Sequence, residues 1–358
     1  MDEMAQLNLM GSDIPTPTPA ELRGEERRLL AEIATPGSER LPGSGVLERL
    51  MRPVGGGRPR PVLVAGVATG LAAASVAGVA LTGVHSRGPG SSYLPQAVPV
   101  AVVQTLGHAA DAASRQRELH PKPGQFLVFE SQTMEPTDSN SKEHGHSRYL
   151  SRARRTIWLP VSGRATGGVL LERGLPAKQY GNWPLPPEAR QEVGTTGPTR
   201  AADVDNRAEY LRTDYAYLSR LPADPKGMRA HLYTGLKAGT AQGDLEAWSR
   251  VGGMLTEAYM PAAQRAALFR AAATIPGAEA VGSAEDAAGR TGVAVARVEP
   301  AAGERTEYIF DRRTYTFLGQ RTVVVDAEKA QAPVGTVTES TAQLSVRVAD
   351  SAPKVSGG

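Results

Sequence analysis

Residues 61–84 read PVLVAGVATGLAAASVAGVALTGV, a run without one charged side chain. At about 1.5 Å of rise per residue, a helix of this length crosses a hydrocarbon core of about 30 Å. The run reads as a single transmembrane helix, dividing residues 1–60 from a large C-terminal domain. The competing reading is a buried helix of a soluble protein, because the apolar residues are mostly Ala, Val and Gly.

The flanks set the orientation. Arg49, Arg52, Arg58 and Arg60 precede the run, whereas only Arg87, with His85 close by, follows it before Asp111. Basic residues near a span stay cytoplasmic, so the N-terminus is expected inside and the C-terminal domain outside the cell membrane. The run starts at residue 61, which fits an uncleaved signal anchor rather than a secretory signal peptide. Gly66, Gly70, Ala74 and Gly78 recur every four residues on one face. Small residues at that spacing let two helices approach closely, which permits a homodimer through the span.

Composition narrows the function classes. A net charge of +3 on 358 residues is too weak to imply nucleic acid. With no cysteine, disulfides, thiolate zinc sites, a thiol nucleophile and a lipid-modified cysteine are all excluded. An extracytoplasmic domain must therefore stand on its core alone.

On the cytoplasmic side of the span, Thr18, Pro19 and Glu21 form a helix start, with Thr18 as N-cap and Pro19 at the first helical position. The helix that follows, over residues 19–33, carries Leu22, Leu29, Leu30 and Ile33 as a narrow apolar stripe interrupted by Glu26. Such a stripe docks on a cytosolic protein partner, or else frays alone in water. Residues 34–59 are rich in Gly, Pro and Ser, a flexible linker.

Beyond the span, residues 85–98 form a stalk and residues 99–350 an α+β domain; residues 351–358 read as a disordered tail. After Pro99 comes a helix with Val102, Val103, Leu106, Ala109, Ala110 and Ala113 on one side. The period then changes to strands over 124–133, 147–160 and 168–172, followed by a Pro- and Gly-rich surface excursion over 174–200. Asp224 caps a helix begun by Pro225, and Leu245, Trp248, Gly252, Leu255 and Tyr259 line one face of the next. Pro261 opens another helix, and strands return from residue 292 to 349, with a turn at 311–314. Helix, strands, helices and strands in that order predict an antiparallel sheet packed with helices on one face.

The stretches YLSRLPADPKGMRAHLY, LFRAAATIPGAEAV, AGRTGVAVARVE and EYIFDRRTYTFLGQR, with the N-terminal MDEMAQLNLMGSDIPTPTPAEL, resemble a family of uncharacterised actinobacterial single-pass membrane proteins. No activity defines that family. Its extracytoplasmic half is similar in strand and turn pattern to the lipoprotein-carrier-like half-barrel, a curved antiparallel sheet wrapping helices. That likeness implies a concave sheet holding an acyl chain or a partner.

Candidate chemistry is sparse. His144 and His146, beside Glu143, are two apart in a polar hairpin that offers no third metal ligand. Arg148, Arg152 and Arg154 share a strand face, with Arg155 opposite, and suit anionic headgroups or a solvated face. Asp286, Arg290 and Asp311 sit near turns and read as turn residues rather than a catalytic set. Trp248, at helical spacing, reads as core. No nucleophile elbow, phosphate loop, dinucleotide fingerprint or zinc-protease motif occurs, and His108, His120 and His231 each stand alone. The chain is expected to be no enzyme and to hold no cofactor or metal. Two functions follow: a sensor coupled to a cytosolic regulator in anti-sigma fashion, or a membrane-tethered carrier of lipid or lipoprotein.

Overall fold

The computed structural model describes residues 98–355, except 142–144, 165–166 and 202–207. The span at 61–84, the stripe of Leu22, Leu29, Leu30 and Ile33, and the small-residue face of Gly66, Gly70, Ala74 and Gly78 lie outside the described residues. Among those residues no helix is long and apolar enough to cross a membrane.

The domain opens with α1 (Val100–Arg115), then β1 (Phe126–Ser141), β2 (Gly145–Pro160), β3 (Val169–Gln179) and β4 (Gly194–Arg200). Four helices follow: α2 (Tyr215–Leu218), α3 (Pro225–Leu232), α4 (Ala241–Gly253) and α5 (Ala262–Ala272). The chain then returns to strands β5 (Ala278–Glu285), β6 (Thr291–Glu299), β7 (Glu304–Phe310) and β8 (Phe317–Val324), a short α6 (Ala327–Ala330), and β9 (Val337–Ala349). The nine strands of the described residues form one open sheet in the order β4-β3-β2-β1-β9-β8-β7-β6-β5, every neighbouring pair antiparallel. The expected α+β class is therefore present. The last strand joins two meanders, β9 pairing with β1 from Phe126↔Ala349 to Met134↔Ser340.

Local chemistry explains the helix starts. The Asp224 carboxylate accepts from the Gly227 amide at 2.8 Å with Pro225 behind it, and Thr240 Oγ1 accepts from the Gly243 amide at 3.1 Å. Each satisfies one of the amides that a first helical turn leaves without a partner. The helix layer covers one face of the sheet, called the front. From α1 it buries Val102, Leu106, Ala109, Ala110 and Ala113. Val103, expected on that face, points to solvent at 47 % exposure.

The centre of this core is a join between α4 and β7. The Tyr308 hydroxyl donates to the Trp248 carbonyl at 2.6 Å and accepts from the Gly252 amide at 3.0 Å, while the Trp248 and Tyr308 rings stack with centroids 4.8 Å apart. A Cβ at Gly252 would stand 2.7 Å from that hydroxyl, so only glycine lets helix and sheet approach this closely. The helix ends at Gly253. Leu255 and Tyr259, expected on its face, are instead buried from the loop that follows, because two successive glycines weaken the helix there.

The excursion expected over 174–200 is partly sheet. β3 continues to Gln179 and β4 supplies the edge, with Pro176 accommodated where the β2–β3 register shifts. On the back face, three apolar clusters lie beneath the strands, centred on Met134 and Leu150, on Ile309 and Leu318, and on Val128 and Trp158. Residues 351–355, expected to be disordered, carry no helix or strand, yet Ala352 and Val355 pack against the last of these clusters.

Candidate functional site

The expected contact residues face the back of β2, and each is already engaged. Arg148 donates to both Asp138 oxygens, at 3.0 and 3.3 Å, and lies over the Tyr180 ring at 4.6 Å. Arg152 donates to the Pro176 carbonyl at 3.2 Å, and Arg154 sits 3.6 Å from Glu130. Asp286 accepts from the Ala288 and Arg290 amides and from Arg290 Nε at 2.7 Å. Asp311 accepts from the Arg313 and Thr314 amides and the Thr314 hydroxyl, and these bonds hold its carboxyl below the usual range. Both are turn residues, as expected. His144 lies outside the described residues, and His146 packs edge-on against Trp183 with Nε2 3.3 Å from Asp138. Among the described residues no group of acids and histidines could hold a metal ion.

Arg155, on the opposite face of β2, has a different setting. It is buried on the front, between Glu135 at 3.7 Å, Glu172 at 3.7 Å and Glu257 at 3.9 Å. Glu257 is also buried and accepts from Ser131 Oγ at 2.5 Å. Its backbone takes φ +49°, a conformation that costs a side-chain-bearing residue about 1–2 kcal/mol. The contacts of its carboxylate hold it there. Farther along, the Pro187–Glu192 turn lays Glu192 on the Tyr149 hydroxyl at 2.5 Å and Glu188 near Ser139 and Ser147. Burial, then the Glu192 bond, push the Tyr149 hydroxyl well above its ordinary pKa.

The same loop that carries Glu257 walls a cavity on its other side. This cavity, of ≈ 260 Å³, opens between the helix layer and β9. Met254, Leu255, Ala258 and Met260 line it from the loop, Ala109 and Ala113 from α1, Phe269 from α5 and Phe317 from β8. Its rim includes Gln116, which donates to Thr316 Oγ1 at 3.3 Å, and Tyr315, at φ +53° with its ring 4.7 Å from His108.

Polar side chains line it as well, among them Arg265 from α5 and Gln343 and Ser345 from β9. Arg265 Nε and Gln343 Oε1 are buried without a hydrogen-bond partner among the described residues. Burial draws the guanidinium pKa down, opposed by Tyr259 and Glu118; the Tyr259 ring centre lies 5.7 Å from Arg265 Cζ. No carboxylate among the described residues comes within ion-pair distance of it. Buried polar groups are normally paired; among the described residues nine side-chain atoms depart from this, and these two share one cavity.

Neither residue stood out in the sequence reading. Arg265 does share a helical face with Leu268, Phe269 and Ala272 by its spacing, and a cation on an apolar stripe is a usable signal. Gln343 had none, since its strand is mixed polar and apolar throughout. Comparison with protein-family models, curated proteins and solved structures returned no match.

Proposed function

We propose that this chain is a membrane-anchored, extracytoplasmic binding and sensor module whose small ligand sits in the cavity between the helix layer and β9. The carrying observation is that cavity of ≈ 260 Å³, apolar in most of its wall and entered by two polar side chains without partners. The charge-free run at 61–84 and its basic leading flank support anchoring with the domain outside. The apolar stripe of Leu22, Leu29, Leu30 and Ile33 supports coupling to a cytosolic regulator, and the small-residue face supports dimerisation in the bilayer.

Size separates this reading from a carrier of whole lipids or lipoproteins. The cavity exceeds the ~150 Å³ that accommodates benzene in an engineered core, but falls short of the ~300–1,000 Å³ of sites for drug-sized ligands. It suits one short chain or ring rather than several acyl chains. An open antiparallel sheet with helices on one face is consistent with the half-barrel likeness.

The test is equilibrium dialysis of octanol against the full chain in zwitterionic nanodiscs, with empty discs subtracted. Saturable uptake of one octanol per chain is expected, lost when Ala113→Phe fills the cavity while the circular dichroism spectrum is retained. Uptake no greater than that of empty discs, or unchanged by the substitution, overturns the reading.

A further inference from the structure

Resting on the cavity reading above, we infer that the ligand is an amphipathic carboxylate, its head on Arg265 and its tail against Leu255, Met260 and Phe269. Other arginines of the domain meet carboxylates or carbonyls, and buried Arg297 has two carbonyl partners with one nitrogen left unpaired. Arg305 and Arg321 share Glu307 at 2.6 and 2.8 Å. Arg250 donates to the Leu232 and Thr234 carbonyls and lies 3.4 Å from Glu246. Arg290 holds Asp286 together with the Leu318 and Gln343 carbonyls. Arg265 has none of these arrangements: its guanidinium faces an aromatic ring and the cavity.

A half-buried guanidinium without an anion is less favourable than a paired one, and its planar fork matches a carboxylate in a two-bonded pair. The cavity supplies both requirements of an amphipathic anion, one cationic wall position and a lining that is apolar over Met254, Leu255, Met260 and Phe269. The Gln343 amide in the same lining adds a neutral hydrogen-bonding group. A carboxylate, with one negative charge, balances one guanidinium; a phosphate monoester, at about −1.5 to −2, overshoots it.

The experiment uses the same full chain in zwitterionic nanodiscs, titrated with octanoate, octyl phosphate and octanol at pH 7.5. Octanoate is expected to bind about tenfold or more tighter than octanol, the range of one charged hydrogen bond, and tighter than octyl phosphate. Arg265→Gln is expected to abolish the preference, bringing the octanoate-to-octanol affinity ratio to about one; Arg265→Lys is expected to retain part of the preference. Octanoate binding no tighter than octanol overturns the carboxylate while the cavity reading survives. Octyl phosphate binding tightest overturns the choice of anion. Binding of none of the three sinks both this inference and the reading beneath it. Should Arg265→Gln fail to fold, the wild-type ranking of the three probes decides alone.

Discussion

The front of this one sheet has two characters. Over β6, β7 and β8 it presents Val295, Tyr308, Phe310 and Phe317 to the helices. Along β1 it begins in the same way with Leu127 and Phe129, then changes to Ser131, Thr133, Glu135, Thr137 and Ser139, opposite Arg155 and Tyr149 of β2. Both regions are largely buried, yet one is closed by apolar packing and the other by hydrogen bonds and ion pairs. The cavity lies near the change, behind the loop that contributes Met254, Leu255 and Met260 to one side and Glu257 to the other. The lesson is that a sheet covered unevenly by helices leaves a seam, and a seam can hold a ligand without any catalytic motif.

The largest effect is expected in the apolar half. Trp248→Ala should cost about 3–5 kcal/mol, from lost burial and the cavity left behind, read as a lower denaturation midpoint with an unchanged slope. A loss near 1 kcal/mol would mean that the helix layer is not what closes this half.

In the polar half, Glu257→Gln should cost less, about 1–3 kcal/mol, since Arg155 retains Glu135 and Glu172. A cost equal to that of Trp248→Ala would erase the distinction between the two halves. Gly252→Ala tests the join itself and should cost about 1–3 kcal/mol, because the new Cβ meets the locked Tyr308 hydroxyl. A neutral outcome would place slack between α4 and the sheet.

A smaller effect depends on pH. Burial, reinforced by Glu135 and Glu304, raises the Glu339 carboxyl from 4.5 to about 7. The folded state then binds a proton that the unfolded chain has released, so this group favours folding at low pH and the contribution is lost as pH rises from about 4.5 to about 7. Glu339→Gln should therefore lose less stability than wild type between pH 5 and pH 8, by on the order of 1–2 kcal/mol. Thermal melts at the two pH values check this, and a variant that loses as much as wild type removes Glu339 as the cause. Least of all, Arg154→Ala on the exposed back of β2 should stay within about 0.5 kcal/mol.

Much of the fold was legible because its signals are local. The Asp224–Pro225 helix start, the helix opened at Pro261 and the turn between Phe310 and Phe317 each follow from a few adjacent residues. The extent of β3 was not, since Pro176 argues against a strand until its pairing with β2 is known. Arg265 was legible only as a cation at helical spacing, whereas Arg270 on the same helix simply pairs with Asp111 at 2.9 Å.

By itself, the sequence determined the charge-free run at 61–84, the absence of cysteine chemistry, and the alternation of helix and strand that makes the domain α+β, because length, composition and period are properties of neighbouring residues. Only the tertiary structure decided that β9 lies between β1 and β8, that Gly252 must admit Tyr308, and that Arg265 and Gln343 meet in one cavity. Those contacts join segments far apart in the chain. Their energy comes from packing and unpaired polar atoms, which no local pattern records.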